Sequence, residues 1–114
     1  MIGGGLATGV AVSALIRRVN AEGGAATVLR KGDPTAGAVI LSLCERGGDG
    51  RLFERVLGNG GSYVWRAIGP APGAESDALA AFIEKRVNVD PDIWIVELDI
   101  PQPERFIDEL IVND

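Results

Sequence analysis

The sequence lacks histidine altogether and contains one cysteine, Cys44, among 114 residues. Without histidine, Ser-His-Asp and Cys-His catalytic centres and histidine-ligated metal sites are excluded, and the commonest general base is missing. A single cysteine excludes an internal disulfide and is typical of a protein from a reducing cytoplasm. Cys44 lies in an apolar run, where a thiol usually behaves as a small hydrophobic side chain.

Positive charge and long apolar runs are also scarce. The 11 basic residues are outnumbered by 16 acidic ones, which gives a net charge of -5 and disfavours nucleic acid as the partner. No apolar run has the roughly 18 to 20 residues of a membrane span. Residues 1–16 differ from a signal peptide because Arg17 and Arg18 follow the apolar stretch instead of preceding it. We therefore expect a cytoplasmic protein with no membrane partner.

The remaining composition is that of an ordinary globular protein. Hydrophobic residues make up 46% of the chain and charged residues 24%, which are typical proportions for a folded domain. A chain of 114 residues is long enough for one hydrophobic core and too short for two. We expect a single domain over residues 1–114.

Residues 90–99 form the most informative stretch of the sequence. Period-2 alternation assigns its side chains to two faces: Ile93, Ile95 and Glu97 on one, and Trp94, Val96 and Leu98 on the other. Because both faces are apolar, the stretch predicts an interior strand that is covered on both sides. Burying Glu97 without a partner would be costly, so we expect either a strand end that emerges into solvent or an ion pair with Arg17 or Arg18.

The hydrophobic pattern predicts alternating strands and helices. The first predicted elements are a strand at 6–12, a helix at 14–22 capped by Ser13, and strands at 25–30, 38–44, 51–57 and 62–68. A helix follows after Ser76, with its apolar stripe at Leu79, Phe82, Ile83 and Val87. A turn at 88–92 then leads into the central strand of the stretch 90–99, and a short helix from Pro103 carries Phe106, Leu110 and Ile111. A single longer helix from Val10 is the alternative start, disfavoured by Gly9 and Ser13.

These elements predict a mixed α/β (α+β) fold. Three or four consecutive strands joined by tight turns predict an antiparallel meander. Strands that are apolar on both faces need cover on both sides. We expect a single mixed, largely antiparallel sheet with helices packed on both faces.

Carboxylates are the most plausible chemical groups in the chain. Acidic side chains at Asp90, Asp92, Glu97, Asp99 and Asp33 are of the oxygen-ligand type that Mg²⁺ uses without histidine. The competing interpretation is that residues 90–92 form a helix-to-strand turn, where Asp and Pro are favoured for backbone reasons. We assign no metal and no cofactor. The candidate polar cluster consists of Glu97, Asp92, Asp33, Arg17, Arg18 and Lys31.

Two tryptophans could in principle stack on nucleic-acid bases. We expect Trp65 and Trp94 to pack in the core or at a sheet edge instead, because large aromatic side chains are mostly used for packing. An exposed Trp65 would favour a different function.

Several segments together resemble a family of small alphaproteobacterial proteins known only as a domain of unknown function. The resemblance covers nearly the whole chain. It rests on residues 12–20, 23–24, 28–34 and 36–39, which give the pattern GDPxAGAV, on Trp65, and on residues 90–97, which give DPDxWxVE. It implies an alphaproteobacterial, cytoplasmic setting. The family brings no activity, cofactor or partner to this chain.

Three functional classes follow from these observations. The first is a non-enzymatic binding or interaction domain, with a homodimer formed through an exposed strand edge or the terminal helix. The second is a carboxylate-dependent enzyme, Mg-assisted or acting on a phosphate-bearing ligand, whose polar cluster would have to converge in one cleft. The third is an RNA-associated module that uses Trp65 and the arginines. We favour the first because no activated nucleophile or cofactor loop is present.

Overall fold

Two helices and five strands make up the part of the chain that the computed structural model describes, which is residues 7–46, 50–57, 60, 63–70, 76–103, 105 and 106. In chain order they are α1 (Thr8–Ala21), β1 (Ala25–Arg30), β2 (Val39–Cys44), β3 (Arg51–Leu57), β4 (Tyr63–Ile68), α2 (Ser76–Val89) and β5 (Trp94–Asp99). The predicted strands and the second predicted helix agree with these bounds to within a few residues, apart from the start of the chain.

The five strands form one sheet in the order β1-β5-β2-β3-β4. β5 runs parallel to β2, whereas the other three pairings are antiparallel. The predicted mixed, largely antiparallel sheet is therefore confirmed. β5 lies between β1 and β2, as expected for an interior strand, and it separates β1 from the meander. The meander consequently has three strands, β2 to β4, and not four.

The start of the chain differs from the prediction. Residues 8–12 belong to α1 and not to a strand, and Ser13 is an exposed residue inside the helix and not its cap. The alternative of a longer helix was closer to the structure. The helix is held on the sheet by a buried stripe at intervals of three and four residues: Thr8, Val12, Leu15 and Val19.

A distant loop completes the first turn of α1. The backbone N–H groups of Thr8 and Gly9 donate to the carbonyl oxygens of Thr35 (3.2 Å) and Pro34 (2.8 Å). The hydroxyl of Thr8 donates to the carbonyl oxygen of Gly37 at 3.0 Å. These contacts satisfy N–H groups that a helix otherwise leaves unpaired at its first turn. Tertiary contacts therefore replace the side-chain cap that the sequence predicted at Ser13.

Alternate residues of β2 and β5 belong to two hydrophobic clusters. The α1 cluster contains Val12, Leu15, Val19, Val39, Leu41, Leu43, Phe53, Trp65, Trp94, Val96, Leu98, Ile100 and Phe106. The α2 cluster contains Ile40, Leu52, Leu79, Ile93 and Ile95, with Phe82, Ile83 and Val87 packed against it. The predicted two faces of β5 are thus confirmed. Since successive side chains point to opposite sides of a strand, the two clusters lie on opposite faces of the sheet.

The end of the described chain returns to the α1 cluster. Phe106 is buried there, close to the predicted start of a terminal helix at Pro103. The predicted helical positions Leu110 and Ile111 lie outside the described residues.

Candidate functional site

Two of the sequence segments on which the family resemblance rests, the one that contains residues 30–38 and the one that contains residues 90–94, meet in space. The N–H of Asp33 donates to the carbonyl oxygen of Asp92 at 2.9 Å, and the indole Nε1 of Trp94 donates to the carbonyl oxygen of Asp33 at 2.8 Å. Arg30 donates from Nη2 to the carbonyl oxygen of Pro91 at 2.7 Å. We call the contact between residues 30–38 and 90–94 the loop junction.

Gly32 allows the loop junction to close. A Cβ atom at this position would lie 2.7 Å from both the carbonyl carbon of Ile93 and the Cδ1 atom of Trp94, and it would also collide with the carbonyl oxygen of Asp92. Only a residue without a side chain permits such close approach of two backbone segments.

Several of the carboxylates considered as cation ligands stabilise turns. The Asp33 carboxylate accepts from the backbone N–H groups of Thr35 (3.2 Å) and Ala36 (2.8 Å). Asp90 accepts from the N–H of Asp92 at 3.1 Å, so the predicted turn at residues 90–92 is confirmed. Across the described ranges, no group of three or more acidic or cysteine side chains is placed to hold a metal ion.

The predicted polar cluster is only partly brought together. Asp33 and Asp92 meet through their backbones, and Lys31 is exposed on the same loop. Arg17 is exposed on α1. Arg18, also on α1, pairs with Glu22 at 3.1 Å.

Glu97 lies apart from Arg17 and Arg18, with which an ion pair was one of the two expected arrangements. It shares a face of β5 with Ile93 and Ile95 of the α2 cluster, whereas Arg17 and Arg18 lie on α1. Its Cα partners on the neighbouring strands are Thr27 and Ser42. The half-buried Glu97 carboxylate has no ion pair with any described residue. Among the described residues, the members of the predicted polar cluster therefore do not converge in one cleft.

Both tryptophans are packed in the interior, one of the two placements that the sequence predicted. Trp94 is buried, and Trp65 is only 8% exposed although it belongs to an edge strand. Neither ring can serve as a stacking platform for bases, which removes the main support for an RNA-associated module.

The sequence did not predict which strands form the edges of the sheet. One edge is β1, residues Ala25–Arg30. Val28 is 40% exposed and Leu29 54% exposed. Residues 25–29 carry no charge, and the guanidinium of Arg30 is bound to the carbonyl oxygen of Pro91. The register shifts between Val28 and Arg30, which marks a β-bulge. The only indication of this edge in the sequence is that residues 25–30 do not alternate clearly between polar and apolar side chains.

The opposite edge strand, β4, is protected by charge. The Arg66 side chain is 65% exposed and lies 3.7 Å from a carboxylate oxygen of Glu54 on β3. Charged side chains on an edge strand hinder pairing with another chain. The first five residues of β1 have no such charge, so β1 is the edge that pairs more readily with another strand.

Similarity to known proteins agrees with the sequence-based resemblance. Residues 6–108 match the model of the family described as "Protein of unknown function (DUF1491)". The chain belongs to the DUF1491 family. No curated protein matches this DUF1491 chain significantly.

Several solved structures are similar to this chain. A crystal structure of a DUF1491 protein from Caulobacter crescentus is 40% identical, with a TM-score of 0.71, and the match covers 82% of this chain and 87% of that one. An NMR structure from the same organism is 38% identical, with a TM-score of 0.72 and coverage of 86% and 88%. The solution structure of Atu0922 from A. tumefaciens is 31% identical, with a TM-score of 0.70 and coverage of 85% and 87%.

These comparisons confirm membership of a family of unknown function, and the three neighbours come from alphaproteobacteria. None of them brings an assigned activity to the DUF1491 chain. In its described part, neither α1 nor α2 has the length and hydropathy that a bilayer-spanning helix requires.

Proposed function

We propose that this DUF1491 protein is a small cytoplasmic interaction domain without catalytic activity, organised as one domain, and that it forms a homodimer through the edge of β1. The observation that carries this proposal is the uncharged edge strand with Val28 and Leu29 exposed. The single cysteine of the chain supports a reducing compartment.

An edge strand presents a row of backbone N–H and C=O groups that can pair with a further strand. A second copy of β1 offers the same groups in the same spacing, so two copies related by a two-fold axis can pair antiparallel. The contact would also remove part of the exposed Leu29 side chain from water. The bulge restricts regular pairing to residues 25–28. For such a short interface we expect a dissociation constant on the order of 10 μM.

The test is the molar mass in solution as a function of concentration. Light scattering coupled to size exclusion, at concentrations on either side of about 10 μM, should show wild-type protein passing from monomer to dimer. Leu29→Lys places a charge on the β1 edge and should remain monomeric throughout. The matched control Ala67→Lys places the same charge at an exposed position of the other edge strand, β4, and should dimerise like wild type.

Two results would count against the proposal. A wild-type protein that is monomeric at every concentration would refute the homodimer. Equal loss of dimer in Leu29→Lys and Ala67→Lys would place the interface elsewhere. Thermal melting of both variants establishes that the folded state is retained, so that loss of association is not mistaken for loss of structure.

A further inference from the structure

A buried hydrogen-bond donor on β4 points to a ligand site. The indole Nε1 of Trp65 is shielded from solvent and has no acceptor among the described residues. The other tryptophan, Trp94, donates from Nε1 to the carbonyl oxygen of Asp33 at 2.8 Å. Unpaired buried donors are rare in native proteins. We therefore expect the Trp65 indole N–H to have an acceptor that the described residues do not supply.

A cationic side chain lies on the same face of the sheet as this indole. Arg55 on β3 is the Cα partner of Trp65 in the antiparallel β3–β4 ladder, so both side chains lie on the same face of the sheet. The guanidinium carbon of Arg55 lies 4.3 Å from the centroid of the Tyr63 ring. Tyr63 precedes Trp65 by two residues in β4 and therefore shares its face.

Arg55 differs from the arginines on the opposite face. Arg66 and Arg86 both pair with the carboxylate of Glu54. Arg55 is half-buried and, within the described ranges, the ring of Tyr63 is its one interaction partner. A guanidinium carries five N–H donors in a planar fork that suits carboxylate and phosphate oxygens. Arg55 and Trp65 together thus offer hydrogen-bond donors and positive charge for which the described residues provide no anionic acceptor.

We propose that Trp65 and Arg55 form a binding site for a small oxyanion, with a carboxylate as the ligand group. The indole N–H would donate to one oxygen and the guanidinium to the same or the second oxygen, while the Tyr63 ring holds the guanidinium in place. This site lies on β3 and β4, away from β1, and is independent of the proposed homodimer.

The carboxylate can come from a separate ligand or from the chain itself. Phe106 belongs to the same α1 cluster as Trp65, and the residues that follow it in sequence include Asp108, Glu109 and Asp114. The two sources share one chemistry, and a full-length variant with these three acids changed to amides distinguishes them.

The two indole N–H signals of a ¹H–¹⁵N spectrum provide the readout. Trp65→Phe assigns the signals, and Trp94, whose donor is already satisfied, serves as an internal reference. Titration with acetate, and separately with inorganic phosphate, should shift the Trp65 signal to saturation while the Trp94 signal stays in place. Sodium chloride at equal ionic strength should leave both signals unchanged.

Variants test the role of the guanidinium. Arg55→Gln should weaken acetate binding about tenfold or more, the loss expected for a charge-assisted hydrogen bond. Arg66→Gln removes the same charge from the opposite face and should bind acetate like wild type. Arg55→Lys keeps the charge without the planar fork, so binding weaker than wild type but stronger than Arg55→Gln is expected, and it serves as the second variant if Arg55→Gln does not fold.

The outcomes separate cleanly. If wild type does not respond and the triple amide variant moves the Trp65 signal and restores acetate binding, the chain's own carboxylates occupy the site. A Trp65 signal that ignores acetate and phosphate in both proteins overturns the proposal. So does an equal response to chloride, or a response in which both indole signals move together.

Discussion

Replacing Gly32 by alanine tests whether the loop junction holds the fold together. The new Cβ would lie 2.7 Å from the carbonyl carbon of Ile93 and from Cδ1 of Trp94 and would collide with the carbonyl oxygen of Asp92. Since all three neighbours belong to one chain segment in contact with β2, the strain cannot be relieved by rotating a flexible side chain.

The expected loss of stability follows from the overpacking and from the hydrogen bonds that the two segments would lose. Overpacking costs about 1–3 kcal/mol. Moving the segments apart also weakens the Asp33 N–H bond to Asp92 and the Trp94 indole bond to Asp33, each worth about 1 kcal/mol. We therefore expect Gly32→Ala to lower the free energy of unfolding by roughly 3–5 kcal/mol. For a chain of this length that corresponds to a fall in melting temperature on the order of 10–20 °C.

The assay is urea denaturation followed by tryptophan fluorescence, with Gly60→Ala as the matched control. A Cβ at Gly60 meets no atom within 4 Å, so this variant should unfold within about 0.5 kcal/mol of wild type, as surface substitutions usually do. If Gly32→Ala also stays within that range, the two segments separate freely and the loop junction does not stabilise the protein.

Two further perturbations probe charges on the α2 side of the sheet. Glu54→Gln should lower the free energy of unfolding by about 1.5–3 kcal/mol in urea denaturation. The reason is that the Glu54 side chain is only 14% exposed and Arg86 would lose its charged partner. A loss below about 0.5 kcal/mol would show that the ion pair is no stronger than an exposed one. Thr27→Lys should stabilise by about 0.2–1 kcal/mol, because residue 27 lies directly opposite Glu97. Thr27→Glu should destabilise by a similar amount, and identical stability of the two variants would contradict the assigned register.

Local patterns predicted most secondary structure because they report on burial. β3 begins and ends where alternation placed it, at residues 51–57. The stripe at Leu79, Phe82, Ile83 and Val87 predicted α2, whose residues pack against the α2 cluster. A helix or strand that buries one face must repeat its apolar residues with its own period. Such elements can therefore be recognised without knowing their neighbours.

The start of α1 could not be predicted in this way. Gly9 and Ser13 are poor residues for a helix interior, and they favoured a strand followed by a cap. The structure extends the helix because Pro34 and Thr35, more than twenty residues later, accept hydrogen bonds from its first turn. Contacts between distant segments outweighed local propensity.

The same distinction between local pattern and tertiary contact applies to β5 and to Glu97. The sequence by itself determined that β5 has two apolar faces and that Glu97 shares a face with Ile93 and Ile95. It could not determine which strands flank β5, because alternation encodes the side of a strand and not its neighbours. Only the tertiary structure decided that β5 inserts between β1 and β2. That pairing leaves β1 at the edge with Leu29 exposed. The tertiary structure also places the face of Glu97 on the side of the α2 cluster.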